Sequence, residues 1–215
     1  MSVPRGGGAP GRLIALEGID GCGKSTQARM LAESLGARLT FEPGDTALGR
    51  RLRVLLLGDN RTALSDRAEA LLMAADRAQH VAELIGPALD AGRWVVTDRF
   101  SGSTLAYQGS GRGLDVPALR GVVDWAAGGR WPDLSVLVDV PPDVARSRLG
   151  ASSPDRVERL GPAFHRRVRE GFLGQASENP GGWVVVDGTG TVDEVSSAIA
   201  LAVRERLGWP DRVAS

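Results

Sequence analysis

The sequence predicts an α/β fold in which five parallel strands form one sheet with helices on both faces. Short, continuous apolar runs alternate with stretches of helical periodicity, which is typical of strands buried on both faces. The first run, 13–16, leads into Gly18-Ile19-Asp20-Gly21-Cys22-Gly23-Lys24-Ser25, which matches the G-x-x-x-x-G-K-[S/T] spacing of phosphate-binding loops between a strand and a helix. We expect one domain over residues 12–209, preceded by a flexible Gly/Pro-rich tail at 1–11.

The individual elements follow from the same two patterns. Strands are predicted at the short apolar runs 13–16, 38–41, 94–97, 134–138 and 183–186. Helices are predicted where apolar residues recur three or four positions apart, at 25–35, 49–57, 66–91, 116–127, 163–176 and 192–207. Ligands bind beyond the carboxyl ends of parallel strands. The charged residues at three of these ends are therefore expected to share one cleft: Glu17, Asp98, Arg99 and Asp139.

Composition limits the partners and the compartment. The 26 basic residues balance 26 acidic ones, so no net charge argues for nucleic acid or an anionic membrane. No apolar run approaches the ~20 residues that span a bilayer. Because Cys22 is the only cysteine, no internal disulfide can form, and a reducing, cytoplasmic location is expected.

The phosphate loop predicts a nucleoside triphosphate site. Lys24 is the only lysine in the chain, and its compact ammonium can reach phosphates where a planar guanidinium does not fit. The glycines let backbone N–H groups point at the phosphates, and the Ser25 hydroxyl can ligate Mg²⁺. We expect the nucleotide to bind residues Gly18 to Ser25 and the adjoining Thr26. A Ras-like GTPase is nearly excluded, because its Asn-Lys-x-Asp guanine-binding segment would require a second lysine.

Arginines are concentrated between residues 146 and 169. Arg148 and Arg156 flank a Gly/Ser/Pro-rich stretch, 150–154, that resembles a hinge. A loop that closes would exclude water and bring positive charge to a phosphoryl group in transfer. The sequence therefore predicts a mobile lid at about 146–159 with Arg148 and Arg156 as catalytic residues. A solvated helix face is at least as good an interpretation for the later arginines Arg166, Arg167 and Arg169.

The stretch 96–108 contains Asp98-Arg99-Phe100, Ser103 and Ala106-Tyr107-Gln108. This pattern resembles the thymidylate kinase signature, Asp-Arg-aromatic-x-x-Ser-x-x-Ala-Tyr-Gln, and the resemblance extends over about residues 13–207, including Glu42-Pro43-Gly44. It implies a three-layer P-loop kinase fold. It also implies Mg²⁺-dependent transfer of the γ-phosphoryl group of ATP to thymidine monophosphate (dTMP), which gives dTDP for dTTP biosynthesis.

The resemblance also implies roles for single residues. Lys24 would hold the donor phosphates, Asp98 would join Ser25 at the metal, and Asp20 would lie near the acceptor. The residues expected to bind dTMP are Phe41, Arg53, Met73, Arg77, Asp98, Arg99, Thr104, Tyr107 and Gln108. The residues expected to act in catalysis are Asp20, Lys24, Arg99, Arg148 and Arg156.

Three positions depart from the family pattern. Phe41 stands where bacterial relatives often have arginine, and Met73 stands where an aromatic ring usually stacks on thymine. Gly21 replaces the loop arginine of the human and yeast type, so the chain resembles the bacterial type, in which the lid supplies the catalytic arginine. Two alternatives stay open: a kinase for another pyrimidine nucleoside monophosphate, such as dUMP, and a P-loop protein that binds ATP without transferring phosphate.

The helix predicted at 66–91 carries an apolar stripe wider than one core contact requires. A deeply buried helix is one interpretation of this stripe. Because the family that the chain resembles is dimeric, a helix-packed homodimer is favoured over it. The other expected partners are the small molecules ATP and dTMP.

Overall fold

The computed structural model describes residues 11–58, 63–149 and 159–209. Within these ranges, five parallel strands form one sheet in the order β2-β3-β1-β4-β5. The strands are β1 (Leu13–Glu17), β2 (Arg38–Phe41), β3 (Val95–Asp98), β4 (Leu134–Asp139) and β5 (Trp183–Asp187). Each lies within one residue of its predicted position, and the predicted α/β fold class is confirmed.

The helices surround this sheet. They are α1 (Lys24–Leu35), α2 (Ala47–Leu57), α3 (Asp66–His80), α4 (Gly86–Asp90), α5 (Ser101–Thr104), α6 (Val116–Ala127), α7 (Pro142–Leu149), α8 (Pro162–Glu178) and α9 (Val192–Leu207). A π-helical turn at Val81–Ile85 joins α3 to α4, so the predicted helix at 66–91 is one continuous helical segment. Pro87 follows this wider turn, which relieves the clash that its ring would make with the preceding turn of a regular α-helix.

Both faces of β1 are buried, as the continuous apolar run predicts. Ile14 and Leu16 face one core cluster, which includes α1 and α9. Leu13 and Ala15 face the opposite cluster, which includes Val81–Ile85 and α4. Since helices cover both faces, the edge at the carboxyl ends of the strands is the place left for a ligand. No helix in the described part of the chain is both long enough and apolar enough to cross a membrane.

Two helical segments differ from the predictions. Residues 101–111 form α5 and a second π-helical turn, Leu105–Gly111, where only a sequence motif was recognised. α7 occupies 142–149, so Arg148 lies on a helix and not on a loop. The rest of the expected lid, 150–158, contains Arg156 and lies outside the described residues, and the lid stays a prediction.

Candidate active site

The phosphate loop connects β1 to α1 through left-handed backbone. Gly21 has φ 83° and Gly23 has φ 95°, conformations that strain any residue with a Cβ. A Cβ on Gly21 would also overlap the carbonyl oxygen of Ala145 in α7, which explains why the arginine of the human and yeast type has no room at this position. Among the described residues, no side chain caps the first turn of α1, so its N–H groups are available to an anion.

Lys24 begins α1 and turns back into the loop. Its side chain is buried, and its ammonium donates to the carbonyl oxygen of Ile19 at 3.3 Å. The same Nζ lies 3.6 Å from Asp20 Oδ1. The loop therefore holds the ammonium in place with weak contacts that a phosphate group can replace.

Ser25 and Asp98 meet where α1 starts and β3 ends, and the Ser25 hydroxyl donates to Asp98 Oδ2. Asp98 Oδ1 is buried and has no hydrogen-bond partner within the described ranges. A hydroxyl and a carboxylate are hard oxygen ligands that suit Mg²⁺. The described residues contain no group of three His, Cys, Asp or Glu side chains that could hold a metal. Ser25 and Asp98 thus fit a Mg²⁺ that takes its other ligands from nucleotide phosphates and water.

Asp20, Arg99 and Tyr107 form a charged cluster beside the loop. Arg99 Nη2 donates to Asp20 Oδ1, and the Tyr107 hydroxyl donates to Asp20 Oδ2 at 2.7 Å. Arg99 Nη1 donates to the Gly18 carbonyl at 3.0 Å and to Ser103 Oγ at 2.9 Å. Arg99 also has φ 72°, an unusual conformation for a non-glycine residue that is concentrated at functional sites.

The cluster keeps Asp20 ionised. Burial by itself opposes the charge, but Arg99 and Lys24 outweigh it and hold the pKa of Asp20 well below its usual range. A carboxylate with so low a pKa is a weak base. Asp20 therefore serves to hold the two cations, and proton abstraction does not suit it. Burial raises the pKa of Tyr107 well above its ordinary value, so its hydroxyl stays a donor.

Glu17 is the last residue of β1, and it supports this cluster through Ser103. Its carboxylate accepts hydrogen bonds from the backbone N–H groups of Phe100 at 3.1 Å and Ser103 at 3.2 Å, and from Ser103 Oγ at 2.6 Å. Burial raises the pKa of Glu17 to about 7, against the opposing effects of the Ser103 hydrogen bond and the Arg99 charge. Through Ser103, Glu17 connects β1 to the side chain of Arg99. The sequence placed Glu17 at the cleft without assigning it this role.

A cavity of about 180 Å³ opens beside Arg99. Its wall includes most of the residues predicted to bind dTMP: Arg53, Met73, Arg77, Arg99, Thr104, Tyr107 and Gln108. Two residues predicted to bind dTMP, Phe41 and Asp98, do not belong to the described wall of this cavity. The ring of Phe41 instead lies 5.9 Å from the guanidinium carbon of Arg53, and Asp98 faces Ser25.

Arg77 is the buried cation of this cavity. Its Nε and Nη2 donate to Glu42 Oε2 at 3.1 and 2.8 Å, and Nη2 also donates to the Phe100 carbonyl at 3.0 Å. Its Nη1 is buried with no hydrogen-bond partner in the described chain. Across the cavity, the Gln108 amide donates to Glu69 Oε1 at 2.8 Å, which fixes its orientation. A ligand carbonyl would satisfy the unpaired Arg77 donor.

A second cavity, of about 690 Å³, lies on the other side of Asp20, between the loop, α7 and the start of α8. Its described wall is rich in potential cations: Arg146, Arg159, His165 and Arg166. Arg166, for which the sequence also allows a solvated helix face, is one of them. Asp20 belongs to the walls of both cavities, so they meet at this residue.

Arg148, predicted to be catalytic, does not belong to the described wall of either cavity. Its Nη1 donates to the Gly188 carbonyl at 2.8 Å and its Nη2 to the Thr189 carbonyl at 3.2 Å. The orientation of α7 directs this side chain to the loop after β5, and Arg146 is the α7 arginine in the cavity wall. Asp139, the other acid at a strand end, accepts from Arg169 Nε and Nη2 at 2.7 Å each, which ties α8 to β4.

Comparisons with known proteins identify the family of the chain. The thymidylate kinase family model matches residues 16–199. A thymidylate kinase of Chromobacterium violaceum is 46% identical over 203 residues, which cover 92% of this chain and 95% of the relative. One of Carboxydothermus hydrogenoformans is 47% identical over 191 residues, 86% of this chain and 93% of the relative. The crystal structure of a thymidylate kinase from Ehrlichia chaffeensis superimposes with a TM-score of 0.76 at 31% identity, covering 90% of this chain and all of that one.

Proposed function

The chain belongs to the thymidylate kinase family, and from this we propose that it transfers the γ-phosphoryl group of ATP to dTMP, giving ADP and dTDP. The observation that carries the proposal is the position of Asp20. This residue lies on the walls of both cavities and contacts the loop cation Lys24 and the cluster cation Arg99. A donor over the loop and an acceptor in the smaller cavity would bring their phosphates together there.

On the donor side, the α1 N–H groups and Lys24 are proposed to hold the β- and γ-phosphates of ATP. Ser25 and Asp98 would hold Mg²⁺, which neutralises charge on the phosphates when bound. The cations of the larger cavity, such as Arg146, would add positive charge around the transferring group. Arg156 is proposed to join them from the lid.

On the acceptor side, Arg53 and Arg99 are proposed to bind the phosphate of dTMP. A phosphate monoester has a second pKa of about 6, so its oxygens are largely unprotonated at neutral pH. The attacking oxygen then has no proton to lose, and the reaction needs no general base. This agrees with a depressed pKa at Asp20, which makes that residue an anchor for Arg99.

Base selection is proposed to depend on Arg77. The unpaired Nη1 can donate to a carbonyl such as O4 of thymine, whereas cytosine presents an amino donor at the same position. Purines are expected to be very poor acceptors in a cavity of about 180 Å³. One methyl group is worth only ~1–3 kcal/mol, so dUMP should be an inferior but measurable acceptor.

A homodimer is proposed on the apolar face of α3 and the turn after it. Leu71 is 59% exposed, and Ala75, Ala78 and Ala82 are exposed at matching helical intervals. A second copy would cover this stripe, as the family resemblance implies.

A cytoplasmic location is proposed from the single cysteine, Cys22, which is unpaired.

A coupled ADP-release assay with dTMP, dUMP, dCMP and dGMP tests the proposed function. We expect dTMP to have the highest kcat/KM, dUMP to follow, and the other two to be poor. If another pyrimidine monophosphate is preferred, the proposed substrate is wrong, but the proposed kinase activity stands. ADP release that does not depend on any monophosphate, or no ADP release, would contradict the proposal, with Lys24→Ala as the inactive control.

A further inference from the structure

We propose that His80 is a positioning residue for base selection, which acts through Glu42 to fix the guanidinium of Arg77. This rests on the proposed function, since it concerns how the acceptor base is recognised. His80 and Arg77 are three positions apart on α3, so both side chains leave the same face of the helix and reach the carboxyl end of β2. His80, Arg77 and Glu42 are all buried.

The hydrogen bonds of Glu42 show why Arg77 needs a second support. Both contacts from Arg77 go to one carboxylate oxygen, Oε2, and so they leave the rotation of the carboxylate unfixed. A bidentate pair that used both oxygens would fix it. Here His80 Nδ1 occupies the other oxygen, Oε1, at 2.9 Å. His80 therefore sets the plane of the Glu42 carboxylate, and through it the direction of Arg77.

His80 is held on its far side as well. Its Nε2 lies 2.5 Å from Thr40 Oγ1, and the Thr40 hydroxyl donates to Asp45 Oδ2. The two ring nitrogens thus contact different groups, Nδ1 the Glu42 carboxylate and Nε2 the Thr40 hydroxyl. The buried imidazole is therefore fixed at two points.

This chain of contacts ends at Arg77, a wall residue of the smaller cavity. With Nε and Nη2 bound to Glu42 and Phe100, the guanidinium plane is set, and Nη1 is the donor left for the base. Without His80, Glu42 can rotate, and Arg77 loses its fixed direction toward a carbonyl. We expect the loss to fall on acceptor binding and on the choice of base, because Lys24 and Ser25 belong to the separate donor loop.

His80→Phe and His80→Asn form the test pair. Phenylalanine keeps a ring without donors, whereas the asparagine amide can donate to Glu42 from near the Nδ1 position. The readouts are KM and kcat for dTMP and dCMP, KM for ATP, and dTMP binding by calorimetry. We expect His80→Phe to raise KM and Kd for dTMP roughly tenfold to a hundredfold and to reduce the dTMP:dCMP ratio of kcat/KM similarly. KM for ATP should stay unchanged, and His80→Asn should recover most of the loss.

Arg12→Ala is the matched stability control, since it breaks the Arg12–Asp133 ion pair, which lies at the amino ends of β1 and β4 and thus away from the site. It should lower Tm without changing the dTMP:dCMP ratio. If His80→Phe lowers Tm but keeps that ratio and the dTMP affinity, the positioning role is refuted. If His80→Phe does not fold, Thr40→Val is used in its place, because it removes the hydroxyl that contacts Nε2 of His80. Unchanged dTMP affinity in Thr40→Val would then refute the positioning role of His80. Failure of the wild-type protein to phosphorylate dTMP would instead refute the proposed function, and the calorimetry would still decide the role of His80.

Discussion

Replacing Glu17 with glutamine should change how the stability of the protein depends on pH. Glu17 is fully buried, and burial raises its pKa from 4.5 to about 7. In the folded protein, the Glu17 carboxyl group therefore holds its proton more tightly than it does in the unfolded chain. Stability therefore falls as the pH rises from the unfolded pKa of 4.5 to the folded pKa of about 7, and the loss is complete above that.

The size of the effect follows from the same shift. A pKa difference of one corresponds to ~1.4 kcal/mol, so the charge on Glu17 costs roughly 3 kcal/mol at alkaline pH. Glutamine has no charge to lose. Its amide oxygen can accept from the N–H groups of Phe100 and Ser103, and its amide nitrogen can donate to Ser103 Oγ. The Ser103 hydroxyl then needs a new acceptor, so the absolute stability of the variant is a poorer measure than its pH dependence.

Urea unfolding followed by tryptophan fluorescence, at several pH values from about 5 to about 8, measures this difference. We expect the unfolding free energy of the wild-type protein to fall relative to that of Glu17→Gln by roughly 2–3 kcal/mol over this range. Asp76, whose pKa burial and the Glu42 charge raise to about 6, acts in the same direction and cancels because both proteins contain it. Parallel pH profiles for the two proteins would contradict the raised pKa of Glu17.

Three further predictions concern the reaction. Lys24→Ala should lower kcat by roughly a hundredfold or more, and Lys24→Arg should also fail, because a planar fork cannot replace the ammonium; wild-type turnover in steady-state assays would contradict this. Asp98→Asn should raise the Mg²⁺ concentration needed for half-maximal rate, and an unchanged Mg²⁺ titration would remove Asp98 from the metal site. Arg156→Ala should lower kcat more than Arg148→Ala, because Arg148 is bound to the Gly188 and Thr189 carbonyls; a larger kcat loss in Arg148→Ala would contradict this and support a catalytic role for Arg148.

The strands were predictable because burial on both faces requires continuous apolar runs, and such runs are visible in the sequence. The helix at 101–111 was not predictable in the same way. Its first residues, Ser101–Thr104, include glycine and serine, which favour other conformations. Its first turn is stabilised by Glu17, a carboxylate more than 80 positions earlier in the chain. Only the folded sheet brings Glu17 to this helix.

The site shows the same division between local and tertiary information. The phosphate loop follows from local spacing, because the turn and the helix start are made by adjacent residues. Glu42 and His80 are 38 positions apart, and no pattern in the sequence connects them before β2 and α3 pack together. By position in the sequence, Arg148 is nearer than Arg146 to the hinge-like stretch 150–154, and it is therefore the predicted lid arginine of the two. The direction of α7 separates them, and that direction depends on packing against the phosphate loop.

In the proposed reaction, a phosphoryl group passes from a donor over Lys24 to an acceptor beside Arg99. The most direct measurement uses ATP labelled at its γ-phosphate, incubated with Mg²⁺ and dTMP, with the labelled products separated and identified. We expect the label to appear in dTDP only when dTMP is present, and we expect little or none with Lys24→Ala. Label released as inorganic phosphate at the same rate without dTMP, or a nucleotide product other than dTDP in the presence of dTMP, would contradict the proposed reaction.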